Sequence, residues 1–208
     1  MDLDGTLIDS IPLILTSVRA TIKHFGFKCS NQELRKLSML HSRDIAYYFM
    51  DKNKISFKLS DFINYRRNYF LELLKKNDEN WFNDAKPFIK EISKKYKVGI
   101  VTGSRWIFIN EVFDAGIKNH LECIVTSDDV THTKPDIEPL EMAIGKIREK
   151  KDEVIFIGDS IQDALMCQRF GIKFIGKATG ISTRKELLKF NPLFVAKNFK
   201  EIKDYLGA

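Results

Sequence analysis

From about residue 84 onward, stretches with helical spacing alternate with short runs rich in valine and isoleucine, and this alternation is what most restricts the folds open to the sequence. Strands apolar on both faces belong in a parallel sheet covered on both sides, and parallel neighbours need a crossover between them. The spacing predicts strands at 97–102, 122–126, 153–157, 172–175 and 193–195. Helices are expected at 84–95, 105–115, 136–149, 161–170, 182–189 and 198–206. The fold class that follows is α/β, a doubly wound parallel sheet.

Residues 9 to 80 break this pattern. They contain no convincing strand, and Ile11, Ile14, Leu15, Val18, Ile22 and Phe25 recur at helical spacing. Gly26 is expected to close that first helix, with Asn31, Ser42 and Ser60 as N-caps of three more. Phe49, Phe57, Phe62, Tyr65, Tyr69, Phe70 and Leu73 would supply a small separate core. The expected organisation is one domain from 1–8 and 81–208, with 9–80 inserted as a helical domain.

Composition narrows the function classes. The three cysteines, Cys29, Cys123 and Cys167, have neither metal-ligand spacing nor an even count, which speaks against a zinc site or a disulfide framework and for a reducing cytoplasm. No apolar run reaches the ~18 residues of a membrane span, and Asp2 and Asp4 stand where a signal peptide would be basic. The net charge of +6 is spread over predicted helices, as at Lys75-Lys76, Lys94-Lys95 and Arg148 to Lys151, and is interleaved with acids. It does not form the aromatic-studded basic stripe of a nucleic-acid groove, so the expected partner is a small anion and neither nucleic acid nor membrane.

Four motifs carry chemistry. Asp2-Leu3-Asp4-Gly5-Thr6-Leu7 presents two carboxylates beside a glycine able to turn the chain sharply; one can attack phosphorus while the other handles a proton. Asp-x-Asp-Gly also occurs in calcium loops and ordinary turns. Val101-Thr102-Gly103-Ser104 ends an apolar strand before a helix, where the Thr102 hydroxyl and the amides of Gly103 and Ser104 can cradle a phosphate, although helix capping uses the same residues. Lys134, stiffened by Pro135, can neutralise an attacking carboxylate and a phosphoryl group. Gly158-Asp159-Ser160 with Asp163 delivers further carboxylates: Asp159 suits a direct magnesium ligand, and Asp163 suits orienting Lys134 or a metal-bound water.

With these motifs in this order, the sequence resembles the haloacid dehalogenase superfamily along nearly its whole length, at Asp2 to Thr6, Thr102, Lys134, and Gly158-Asp159 with Asp163. The resemblance implies a Rossmann-like core and a helical cap, here 9–80, of the kind found in phosphoglycolate phosphatase-like members. It implies a magnesium-dependent phosphatase acting through an aspartyl phosphate on Asp2, with Asp4 as acid and base. Magnesium would bridge Asp2, the Asp4 backbone carbonyl, Asp159 and the phosphate of a small phosphorylated metabolite. Asp4 speaks against carbon–halogen and phosphonate cleavage, and Gly158 before Asp159 looks more like the phosphatases than like β-phosphoglucomutase. A phosphomutase and a non-catalytic phosphate-binding member are the alternatives. A sugar phosphate, phosphoglycolate, a nucleotide or pyrophosphate all fit, and the cap offers Arg19, His41, Arg43, Arg66 and Arg67 as substrate contacts. Members of the family also carry an apolar strand before the nucleophile, where this sequence has only Met1. Four buried aliphatic side chains at roughly 1.5–3 kcal/mol each amount to about 6–12 kcal/mol, so the sequence is expected to be short at its N-terminus relative to a fully competent member.

Overall fold

The structure, a computed structural model, describes residues 1–38, 40–76 and 80–207. Contacts divide the chain into two units, Met1–Asp9 with Glu79–Ala208, and Ser10–Asp78.

In the first unit, β1 (Gly99–Val101) pairs in parallel with β2 (Cys123–Val125), and β3 (Ile155–Gly158), β4 (Lys173–Lys177) and β5 (Val195–Ala196) form a second parallel set. Met1 and Asp2 lie between the two sets. The Met1 amine donates to Gly99 O, Val101 N donates to Met1 O, and Asp2 N donates to Ile157 O. The helices of this unit are α5 (Ala85–Ile92), α6 (Trp106–Val112), α7 (Ala115–Lys118), α8 (Glu138–Ile147), α9 (Ile161–Phe170), α10 (Arg184–Leu187) and α11 (Phe199–Leu206).

Because strand side chains alternate between faces, neighbours along a strand feed different cores. Ile100, Ile157 and Ile175 pack with Phe88, Ile89, Ile109, Phe199 and Ile202, from α5, α6 and α11. Val101, Phe156 and Phe174 face the other way, onto Leu140, Ala143, Ala164, Met166 and Cys167, from α8 and α9. A doubly wound sheet follows directly from that alternation. An apolar cavity of about 490 Å³ is lined by Met1 and by residues of both β1 and β3, among them Gly99, Val101, Ile155 and Ile157.

The second unit is helical among its described residues: α1 (Ile11–His24), α2 (Asn31–Ser38), α3 (Ser42–Asn53) and α4 (Leu59–Lys76). Its core joins Val18 and Ile22 of α1, Leu34 and Leu37 of α2, Ile45 and Phe49 of α3 and Phe62 of α4. Gly26 takes φ +77° just after α1, a left-handed turn that suits glycine. The capping residues differ from those expected. Ser30, one position before Asn31, accepts from Glu33 N while its own N–H donates to the Glu33 carboxylate. Of Ser30, Asn31, Ser42 and Ser60, only Ser30 has an acid three residues on, and it forms the reciprocal box. Ser42 is the first residue of α3, behind His41 at the cap position, and Ser60 lies inside α4, where its hydroxyl donates to Asp61.

Candidate active site

Parallel strands bring their carboxyl ends to one edge of a sheet, and there the four motifs of the sequence meet. Asp2 follows the Met1 rung, is 7% exposed, and accepts at Oδ1 from Leu3 N (2.7 Å). The chain then turns tightly, with Leu7 N and Ile8 N both donating to Leu3 O. Gly5 at φ +73° makes this turn, and a Cβ there would stand 2.6 Å from Asp159 Oδ2, so both conformation and space call for glycine.

Lys134, on the loop before α8 and preceding a cis proline, reaches the centre of the cluster. Its Nζ lies 2.7 Å from Asp2 Oδ1 and 2.7 Å from Asp163 Oδ1. Asp159, just past β3, accepts at Oδ1 from the Thr6 hydroxyl (2.8 Å) and at Oδ2 from Ile181 N (2.9 Å). Asp163 is spent on structure: Oδ1 holds Lys134, and Oδ2 accepts from the Ser160 hydroxyl and amide in the capping box of α9.

The second predicted motif is arranged differently from the phosphate cradle in outline. Thr102 Oγ1 lies 3.3 Å and Ser104 Oγ 2.6 Å from Asp4 Oδ2, so both hydroxyls donate to this carboxylate. The Ser104 amide donates to Thr102 Oγ1 and is not turned outward. Gly103 has open space around its Cα, with no atom within 4 Å of where a Cβ would stand.

Three carboxylates, those of Asp2, Asp159 and Asp163, have oxygens within 4.8 Å of one another and are buried. Burial, then the facing Asp163, raise Asp2 well above the usual carboxylate range, with Lys134 opposing. Burial and Asp163 push Asp159 to about 7. Lys134 is also desolvated, yet Asp163 and Asp2 hold it above the ordinary lysine value. One lysine against three buried acids leaves negative charge in excess. A hard divalent cation with oxygen ligands would relieve it, so the donor set fits such an ion.

Thr6 belongs to the first motif, but its bond to Asp159 was not foreseen, and Ile181 on Asp159 and the Ala178-Thr179-Gly180 stretch that brings it there were not singled out from the sequence. Small residues directly after an apolar strand were the available signal. In the second unit, Arg66 donates to the Ser42 hydroxyl (2.7 Å), Arg19 to Asn31, and Arg43 pairs with Asp44. Arg66 and Arg67 each keep a buried Nε that has no hydrogen-bond partner.

Comparison with known proteins identifies the family and the fold. The family model described as haloacid dehalogenase-like hydrolase matches residues 1–177. The chain is 30% identical over 212 residues to pyrophosphatase PpaX of Bacillus pumilus, covering 100% of this chain and 94% of that protein. It is 28% identical over 215 residues to pyrophosphatase PpaX of Anoxybacillus flavithermus, covering 99% and 94%. Among solved structures, a hydrolase of the haloacid dehalogenase-like family from Streptococcus pneumoniae superposes with a TM-score of 0.82 at 20% identity, covering 99% of this chain and 95% of the other.

Proposed function

The chain belongs to the haloacid dehalogenase-like hydrolases, and on that premise we propose that it is a phosphatase whose nucleophile is Asp2, whose general acid and base is Asp4, and whose cation is magnesium. The observation that carries this reading is the buried Asp2 carboxylate, with Oδ1 held by Leu3 N and by Lys134 while none of the described residues donates a hydrogen bond to Oδ2. A nucleophile needs one oxygen fixed and the other exposed to substrate.

The first step joins an Asp2 carboxylate oxygen to phosphorus and breaks the bond from phosphorus to the leaving oxygen, which takes its proton from Asp4. In the second step Asp4 accepts a proton from water as the water oxygen attacks phosphorus. The Asp2–phosphorus bond breaks, the carboxylate is regenerated and phosphate leaves. Thr102 and Ser104 hold Asp4 through its Oδ2, which steers its proton-carrying oxygen. Lys134 supplies positive charge beside Asp2, and Asp163 fixes the ammonium there. Asp2 and Asp159 are the side chains that would hold magnesium, with the Asp4 backbone carbonyl, and the ion would draw off negative charge from the phosphoryl oxygens.

The helical unit is the cap in this reading, and Arg66 and Arg67 are its candidates for substrate choice. Because the PpaX relatives are named pyrophosphatases, pyrophosphate belongs in the test panel beside small phosphate monoesters. Phosphate release from that panel, with magnesium or with chelator, tests the proposal on the parent and on Asp2→Asn. Magnesium-dependent release by the parent and a loss of at least about a thousandfold in the variant, with its melting temperature kept, are expected. Release that survives the substitution would exclude an aspartyl phosphate.

A further inference from the structure

Lys177, the last residue of β4, takes no part in the reaction above, yet its placement is unusual. It is 1% exposed, and no carboxylate lies within ion-pair distance of it among the described residues. Its ammonium sits 3.9 Å from the ring centre of Phe82 and 4.7 Å from that of Phe199. Among the described residues its one hydrogen bond goes to the Thr179 hydroxyl, at 2.8 Å. An ammonium removed from water and left without an anion is costly, even between two aromatic faces. A methionine or leucine would fill the same space without that cost, so packing alone does not explain a lysine here.

The hydrogen bond shows what the charge is used for. The Thr179 hydroxyl accepts from Lys177, which obliges its own hydrogen to point elsewhere, and it donates to Gly5 O at 2.8 Å. Gly5 makes the turn between Asp4 and Thr6, and Thr6 in turn holds Asp159. The next two residues close on the same carboxylate. Ile181 N donates to Asp159 Oδ2, and Gly180 lies so close that a Cβ on it would stand 1.7 Å from that oxygen. The stretch from Lys177 to Ile181 therefore grips both the turn that carries the acid and base and the carboxylate assigned to the cation.

We propose that Lys177 and Thr179 are positioning residues for the cation site, acting as a directional chain from ammonium to hydroxyl to the Gly5 carbonyl that locks the Gly5 turn against Asp159. The inference rests on the function proposed above, because it takes Asp159 as a cation ligand. Removing either member of the chain loosens the turn and weakens magnesium binding. Because both act through one chain, removing the second after the first costs little more.

The test is magnesium affinity, read from the rise of melting temperature with added magnesium, together with kcat and KM, in Lys177→Met, Thr179→Val, Thr179→Ser and the double variant Lys177→Met/Thr179→Val. Lys177→Met and Thr179→Val are each expected to weaken magnesium binding by about tenfold, the size of effect seen when outer partners of metal ligands are removed. Their kcat should fall with KM little changed. Thr179→Ser should restore parental affinity, and the double variant should match the weaker single. Metal-free Lys177→Met should melt no lower than the parent, which separates positioning from loss of fold. Unchanged magnesium affinity in both single variants, losses that multiply in the double variant, or a serine variant as weak as valine would each overturn the inference. A parent that binds no magnesium overturns it together with the cation part of the proposed function; a parent that binds magnesium but releases no phosphate overturns the function alone.

Discussion

Lys134 and Lys177 are both buried lysines of the first unit, and their surroundings set them apart. Lys134 touches two carboxylates, so its charge is favoured in the folded protein. Burial lowers Lys177 from 10.5 to about 8, with Asp84, Asp159 and Asp9 working the other way from a distance. The unfolded chain therefore binds the extra proton between about pH 8 and 10.5, and stability rises with pH across that window. Below about pH 8 both states are protonated and the whole penalty is felt, on the order of 3 kcal/mol. Metal-free Lys177→Met is therefore expected to gain most over the parent below pH 8, with the gain narrowing toward pH 10.5. Melting curves across that range check this, and a pH-independent difference would show that Lys177 is not a penalised cation. The second lysine of β4, whose sequence is Lys-Phe-Ile-Gly-Lys, carries no sign of its partner in the sequence, and this is why the chain to Gly5 went unseen there.

At the scale of elements, the carboxyl ends of β1, β3 and β4 each hand over to a short segment that handles one carboxylate. Thr102 and Ser104 hold Asp4, Ser160 holds Asp163, and Ile181 holds Asp159. The strand cores were legible because valine and isoleucine runs bounded by helical patterns have few other uses. The ends were less so: the expected strand at 172–175 extends as β4 to Lys177, and the residues past it gain meaning only from what lies opposite. The segment after β4 also has the least room. Gly180→Ala would drive a methyl group into the Asp159 carboxylate. Loss of magnesium binding and a fall in kcat of at least about a hundredfold are expected, checked by magnesium titration and steady-state rates. A variant with parental magnesium affinity would mean that the carboxylate has another position available.

For the molecule as a whole, the crowding of buried acids around one lysine opposes folding, and the proposed cation would relieve it. Asp2 and Asp159 are both raised by burial and by Asp163, and one lysine does not balance the group. A ligand that binds only the folded state stabilises by about 2.7 kcal/mol at a hundred times its Kd. Magnesium at that excess is expected to raise the parent melting temperature by several degrees, and Asp159→Asn should lose most of the rise. An equal rise in both proteins would place the ion elsewhere.

The sequence by itself determined the class of fold and which candidate residues it gathers at one edge of the sheet. Apolar runs dictate buried parallel strands and such strands gather their ends; Asp2, Asp4, Thr102 and Asp159 lie beside those ends, Lys134 reaches them from the loop before α8, and Asp163 from the first turn of α9. Tertiary structure alone decided how the side chains divide their hydrogen bonds. Thr102 and Ser104 turn to Asp4, Asp163 is consumed by Lys134 and Ser160, and a lysine four residues before Ile181 reaches Gly5 through Thr179. The physical reason is range: periodicity reports which face a residue occupies, whereas a hydrogen bond depends on which atom stands within about 3 Å of it. Between Thr179 and Gly5 that nearness spans 174 positions of chain.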